Sequence, residues 1–117
     1  MIQIFPAEKR YIQRMGWLDV YSVFSCNNYF DPWNTHFANL IAFNEYVMQP
    51  GFGFNMHPHE DIEQVFLVTE GQLSHADSLG NEGVLSPGGI QSISAGSGYA
   101  RYACNRGDAP CRHLAAW

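Results

Sequence analysis

The stretch "NMHPHEDIEQVFLVTEG", residues 55–71, joins a pair of histidines to a run of strand-forming residues and ends on a glycine. Residues 62–70 are rich in β-branched and aromatic side chains, which favour a pleated strand. Gly71 separates this run from a second one and so predicts a turn between two strands. The segment therefore predicts β-structure with two histidines beside the entry to a strand.

The rest of the chain repeats this alternation of short strand-like runs and turns. Further runs of this kind are residues 18–24, 40–48, 72–76, 90–94, 99–104 and 112–117. Turns containing glycine or proline separate them, and no segment has a convincing helical pattern. Many short strands at such intervals predict an all-β fold, an antiparallel sandwich or barrel. Residues 26–37 are the least regular part, and we expect this loop to pack its aromatic side chains over one end of the barrel.

Length and composition limit the classes of function. The chain has 117 residues, enough for one core, so residues 1–117 are predicted to form a single domain. Its net charge is −5 and Lys9 is its only lysine, which argues against nucleic-acid binding through a basic surface. No apolar run approaches the ~18 residues of a membrane span, and we expect a soluble, cytoplasmic protein. Three irregularly spaced cysteines predict free thiols rather than a disulfide framework.

The His-x-His pair is a candidate metal motif. In an extended segment, residues two apart point to the same side, so His57 and His59 would both face the interior, and Glu63 keeps that parity if no bulge intervenes. Two imidazoles and a carboxylate form the ligand set of non-haem iron sites and also suit zinc, manganese or nickel. The alternative is that the histidines are polar residues at a strand end. Spacing alone leaves both open, because a metal site needs at least three convergent ligands.

The chain resembles the pirin branch of the cupin superfamily, specifically its amino-terminal cupin domain, over nearly its whole length. The resemblance rests on "GWLDVYSVFSCNNYFDP" (16–32), on "HPHEDIE", "HADSLGNEG", "PGGIQ" and "SAGSG" within residues 55–105, and on "RHLAAW" (112–117). It implies a single double-stranded β-helix, or jelly roll, of antiparallel strands with an internal pocket. It also implies a divalent metal, usually iron, held by two histidines of the first motif and by a histidine and a glutamate of a second motif. Several members resemble dioxygenases that cleave flavonols such as quercetin, and the animal member is a nuclear coregulator.

The second motif departs from the family pattern. Its histidine and glutamate positions correspond to Arg101 and Ala103, and the spacing to Asn105 is kept, so a shift of register does not explain the change. Arginine has no acceptor atom and stays protonated, so Arg101 cannot be a ligand and would repel a divalent ion. Its guanidinium could instead reach Glu63 or the two histidines, or bend to the pocket mouth. We therefore expect a degenerate metal site, with no cofactor or a weakly bound iron, nickel or zinc ion.

Three classes of function follow from this pattern. A pocket containing His57, His59, Glu63 and Arg101 predicts a protein that binds a small organic molecule, with His36 of the irregular loop as a further candidate contact. The second class is a quercetinase-type dioxygenase whose metal is held by the two histidines and Glu63. The third is a structural subunit. Family members usually have two cupin domains in one chain, so we also expect this chain to form a homodimer that covers an exposed apolar face.

Overall fold

The computed structural model describes all 117 residues as a β-protein with one short 3-10 turn at Ala7–Lys9. The ten strands are β1 (Tyr11–Arg14), β2 (Leu18–Ser22), β3 (Phe43–Met48), β4 (Gly53–His59), β5 (Glu63–Glu70), β6 (Leu73–Asp77), β7 (Glu82–Leu85), β8 (Ile90–Ser94), β9 (Tyr99–Cys104) and β10 (Cys111–Ala116). No helix is long and apolar enough to cross a membrane.

The strands form two sheets in which every pairing is antiparallel. One sheet has six strands in the order β1-β2-β3-β10-β5-β8, and the other has four in the order β4-β9-β6-β7. Neighbours in space are often distant in the chain, as when β10 lies between β3 and β5. The all-β, antiparallel prediction is therefore confirmed.

The core lies between the two sheets and follows from strand alternation. In β2, β3, β9 and β10 every second side chain is buried, as expected when one face of a sheet meets the core. The buried apolar cluster draws on both sheets and comprises Leu18, Val20, Tyr46, Met48, Phe66, Val68, Leu73, Ala103, Cys111 and Ala115. All three cysteines are free thiols, as predicted.

Some local predictions were wrong. Strands β1, β4 and β7 were missed because they are short, largely exposed or interrupted by glycine, and therefore lack an apolar run. The aromatic side chains of the irregular loop do not pack over the barrel end as a group. Trp33 is 95% exposed and Phe30 and Phe37 are also exposed, while Tyr29 stacks on Tyr11 of the edge strand.

Pairing of β4 with β9 positions the histidines. The register places His57 opposite Arg101 and His59 opposite Tyr99, with an irregularity between Phe54 and His57. Gly53 begins the strand against Cys104, and a Cβ at this glycine would lie 2.6 Å from the Cα of Cys104. The two backbones therefore approach too closely for any residue other than glycine.

Candidate functional site

A cavity of about 370 Å³ opens between the two sheets. It lies within the size range of small-molecule sites, and its wall is mostly apolar with a few polar groups, which is typical of them. The lining residues are Met15, Leu18, Val20, Asn27, Tyr46, Phe54, Asn55, Met56, His57, His59, Gln64, Phe66, Leu73, Arg101, Ala103, His113 and Trp117.

His57 and His59 lie on one wall of this cavity. Both side chains project from β4 to the same side, and their ring centroids are 4.8 Å apart. Nδ1 of His57 lies 2.7 Å from the carbonyl oxygen of Asn55, which orients that ring. Nε2 of His59 is buried and has no hydrogen-bond partner. The shared orientation that residue parity predicted for the two histidines is thus present.

Arg101 lies inside the cavity rather than at its mouth. Its side chain is 4% exposed, and its guanidinium carbon lies 4.1 Å from the ring centroid of Phe66. One amino group donates a 3.4 Å hydrogen bond to Oε1 of Gln91. No carboxylate lies within ion-pair distance of the guanidinium. Asp77 pairs with Arg101 across β6 and β9, but its carboxylate accepts hydrogen bonds from Leu79 and Asn81.

Two histidines near Arg101, His59 and His113, have lowered pKa values. Burial lowers the pKa of His113 to about 4, and the positive charge of Arg101 contributes to the same shift. The pKa of His59 is also lowered, first by burial and then by His57 and Arg101. Burial lowers the pKa of Arg101 itself, against the opposing effect of Tyr99 and Asp77, yet guanidinium groups remain charged at neutral pH. Arg101 is therefore the permanent cation of the cavity.

Two further residues of the cavity wall carry buried polar atoms without partners. The Tyr99 hydroxyl donates a 2.7 Å hydrogen bond to Oε1 of Gln64, and the amide nitrogen of Gln64 is left buried and unbonded. The indole nitrogen of Trp117 is likewise buried and unbonded. Neither residue was predicted. The alternation in β5 could not show which way Gln64 faces, because apolar residues occupy both faces of that strand. No local sequence pattern predicts the orientation of Trp117.

Two predicted pocket residues, Glu63 and His36, do not line this cavity. The Glu63 side chain is exposed and accepts a hydrogen bond from Ser94 on the neighbouring strand. The turn after His59, in which Asp61 has a positive φ of 52°, breaks the parity on which the prediction depended. His36 is exposed and lines a separate groove beside Trp33. Arg101 consequently has no contact with Glu63.

The donor set does not fit a metal ion. No group of three histidine, cysteine, aspartate or glutamate side chains converges anywhere in the structure. His57 and His59 supply two imidazoles, but Arg101 stands directly across from His57, and Ala103 supplies only a methyl group. Two donors facing a fixed positive charge do not make the three- or four-ligand site that a transition metal requires.

The depressed pKa of His113 predicts acid sensitivity. The pKa of this residue is about 4 in the folded chain and ~6.5 when unfolded, so the unfolded state binds more protons between these values. The neutral His113 ring therefore stabilises the folded chain fully above the pKa that it has in the unfolded state. This contribution to the free energy of unfolding is lost as the pH falls towards 4. We expect His113→Phe, which keeps the stacking on Tyr46, to reduce that loss by up to about 3 kcal/mol.

Denaturant unfolding of both proteins at several pH values from 7.5 to 4 checks this expectation. The difference at pH 7.5 measures the packing change alone, and the slope below that pH measures titration. Equal slopes in the two proteins would show that His113 is not the buried titrating group.

Sequence and structure comparisons place the chain among known proteins. A protein-family model described as Pirin matches residues 6–117. The quercetin 2,3-dioxygenase of Escherichia coli K12 is 38% identical over 114 residues, which are 97% of this chain and 49% of that protein.

Among solved structures, YhhW from Escherichia coli matches with a TM-score of 0.92 and 35% identity, over 96% of this chain and 48% of that one. The bacterial pirin YhhW in complex with nickel(II), also from Escherichia coli, matches with a TM-score of 0.88 and 37% identity, over 94% and 48%. The chain thus spans about half the length of these relatives. Its organisation as a single domain therefore stays a prediction.

Proposed function

Because the chain belongs to the pirin family of the cupin superfamily, we propose that it is a small-molecule-binding member whose cavity works without a resident metal. The observation that carries the proposal is the position of Arg101. Its guanidinium is buried in the cavity, directly across the strand pair from His57. A permanent cation at this point favours an organic ligand over a divalent ion.

The composition of the cavity wall supports binding of an organic molecule. Tyr46, Phe54, Phe66 and Trp117 offer aromatic surface, which gives a planar ligand a large contact area. Buried polar groups without partners, such as Nε2 of His59, can be satisfied by a ligand. A mostly apolar wall with a few convergent polar groups is the usual pattern of a small-molecule site.

The alternative function is that of a metal-dependent quercetin 2,3-dioxygenase. It is favoured by the name of the Escherichia coli relative and by the nickel(II) complex of bacterial pirin YhhW. In this chain the metal would depend on His57 and His59, because Glu63 accepts a hydrogen bond from Ser94 outside the cavity. A metal catalyst needs secure ligation as well as open coordination positions, and two imidazoles leave the ion weakly held.

Self-association remains a prediction and is compatible with either function. Exposed apolar side chains including Ile4, Trp33 and Phe37 surround a groove next to the irregular loop. Such a surface is compatible with a homodimer. It is equally compatible with contacts to a second domain of the kind that the longer relatives have room for.

Metal analysis and ligand titration together test the proposed function. Protein purified without a histidine tag is expected to contain far less than one equivalent of iron, nickel or zinc, and the metal-free protein should still bind quercetin in a calorimetric titration. Binding should survive replacement of both His57 and His59 by alanine, because the aromatic walls remain. Stoichiometric metal together with oxygen-dependent consumption of quercetin that these two replacements abolish would instead establish the dioxygenase.

A further inference from the structure

Arg101 is the one buried arginine of the chain that lacks an ionic partner. Arg10 and Arg112 both pair with Glu45, and the exposed Arg14 pairs with Asp19. Arg101 is 4% exposed and has only the 3.4 Å hydrogen bond to Gln91 and the face of Phe66. A guanidinium carries five N–H donors, so most of its hydrogen-bonding capacity is unused.

Two other unbonded groups of the cavity wall are donors as well, while Nε2 of His59 donates or accepts according to its tautomer. The side-chain nitrogen of Gln64 and the indole nitrogen of Trp117 are buried, unbonded and part of the same wall. Both can donate but cannot accept a hydrogen bond. The tyrosine hydroxyl that could have accepted from Gln64 already donates to its oxygen. The residues that line the cavity therefore include one positive charge and two unbonded neutral donors, and none of them is a carboxylate.

We propose that the ligand of this cavity is an aromatic monocarboxylate whose carboxylate binds Arg101 and is also hydrogen-bonded by Gln64 and Trp117. The inference rests on the proposed function, since it names the ligand class of the same cavity. Arginine matches a carboxylate through two parallel hydrogen bonds. The aromatic walls formed by Tyr46, Phe54 and Phe66 would hold the apolar body of the ligand.

Charge balance explains the preference for a single carboxylate. One guanidinium neutralises one negative charge, whereas a phosphate dianion would leave a second charge buried in a mostly apolar cavity. Arg101 is the only arginine among the residues that line the cavity, and no lysine lines it. Asp77 does not fill the site, because its carboxylate is used by the turn at Leu79 and Asn81.

Calorimetric titration of the metal-free protein with cinnamate, cinnamamide and inorganic phosphate tests the inference. Cinnamate and its amide have nearly the same shape and differ in charge. We expect the wild type to bind cinnamate at least about tenfold more tightly than the amide and to bind phosphate more weakly than cinnamate. In Arg101→Gln the preference for cinnamate should disappear, whereas the exposed Arg106→Gln should keep it.

Two variants that leave Arg101 in place test the inference independently of whether Arg101→Gln folds. Trp117→Phe keeps a ring but loses the N–H donor, and should weaken cinnamate binding by about threefold. Gln64→Glu keeps the acceptor for Tyr99 but places an anion on the cavity wall that also holds Arg101, and should abolish the preference for cinnamate over the amide. Unfolding curves establish that each variant is folded before titration.

The outcomes separate the inference from the proposed function. Equal or tighter binding of the amide, phosphate binding as tight as that of cinnamate, or an unchanged cinnamate preference in Gln64→Glu overturns the carboxylate assignment while leaving a small-molecule site. Absence of binding by cinnamate at millimolar concentration also overturns the assignment. If neither quercetin nor any of these probes binds and the tag-free protein carries stoichiometric metal, the proposed function fails as well.

Discussion

Replacing Arg101 by histidine and Ala103 by glutamate in the same chain is expected to tighten nickel(II) binding by on the order of a hundredfold. The two substitutions add an imidazole and a carboxylate to the pair His57 and His59. They also remove the positive charge that opposes a cation in the cavity. Calorimetric titration of nickel(II) into the metal-free double variant and the wild type, at one pH, measures the effect.

The register of β4 and β9 is the reason for this expectation. Arg101 lies directly opposite His57, and residues 101 and 103 share one face of the strand. Ala103 is buried and lines the cavity, so a side chain at this position points towards the histidines. Four donors on two adjacent strands would then surround one point, which the wild-type chain does not achieve.

The single substitutions and a histidine knockout are the controls. Ala103→Glu alone should gain little metal affinity, because the new carboxylate would pair with Arg101. Arg101→His alone should give an intermediate affinity. Adding His57→Ala to the double variant should remove most of the gain. A folded double variant that binds nickel(II) no more tightly than the wild type would mean that positions 101 and 103 do not share a site with the two histidines.

Gly53→Ala is expected to destabilise the protein by about 3 kcal/mol. A methyl group at this position would lie 2.5 Å from the carbonyl oxygen of Ala103 and 2.6 Å from the Cα of Cys104. These are backbone atoms of a paired strand, so they can move only if β4 and β9 separate locally. The free energy of unfolding from guanidinium titration, compared with that of the wild type, gives the magnitude.

Gly51→Ala provides the matched comparison two residues earlier. Gly51 has a φ of +82° but nothing lies within 4 Å of an added Cβ, so its substitution should cost only about 1 kcal/mol of left-handed backbone strain. Local conformational preference by itself would rank Gly51 as the more sensitive position. If Gly51→Ala proves the more damaging change, then the close approach of β4 to β9 does not limit residue 53.

The local sequence pattern was sufficient to predict a strand wherever one face of that strand is buried. The runs at residues 18–24 and 99–104 predicted the strands observed as β2 and β9, and residue parity placed His57 and His59 on one side. Residue parity was not sufficient to predict the orientation of the Glu63 side chain. The prediction carried parity from His59 through a turn in which Asp61 adopts a positive φ, and β5 then starts with Glu63 outward and Gln64 inward.

The amino-acid sequence by itself determined the all-β class, the His-x-His pair and the presence of Arg101 and Ala103 two residues apart. These features depend on residue identity and on the two-residue period of a strand, and both are local. Only the tertiary structure decided that Gln64 and Trp117, with their buried unbonded donors, lie on the cavity wall with Arg101, while Glu63 and His36 lie outside it. The physical reason is that these groups come from different strands and loops, and strand pairing across long chain separations sets which of their faces meet.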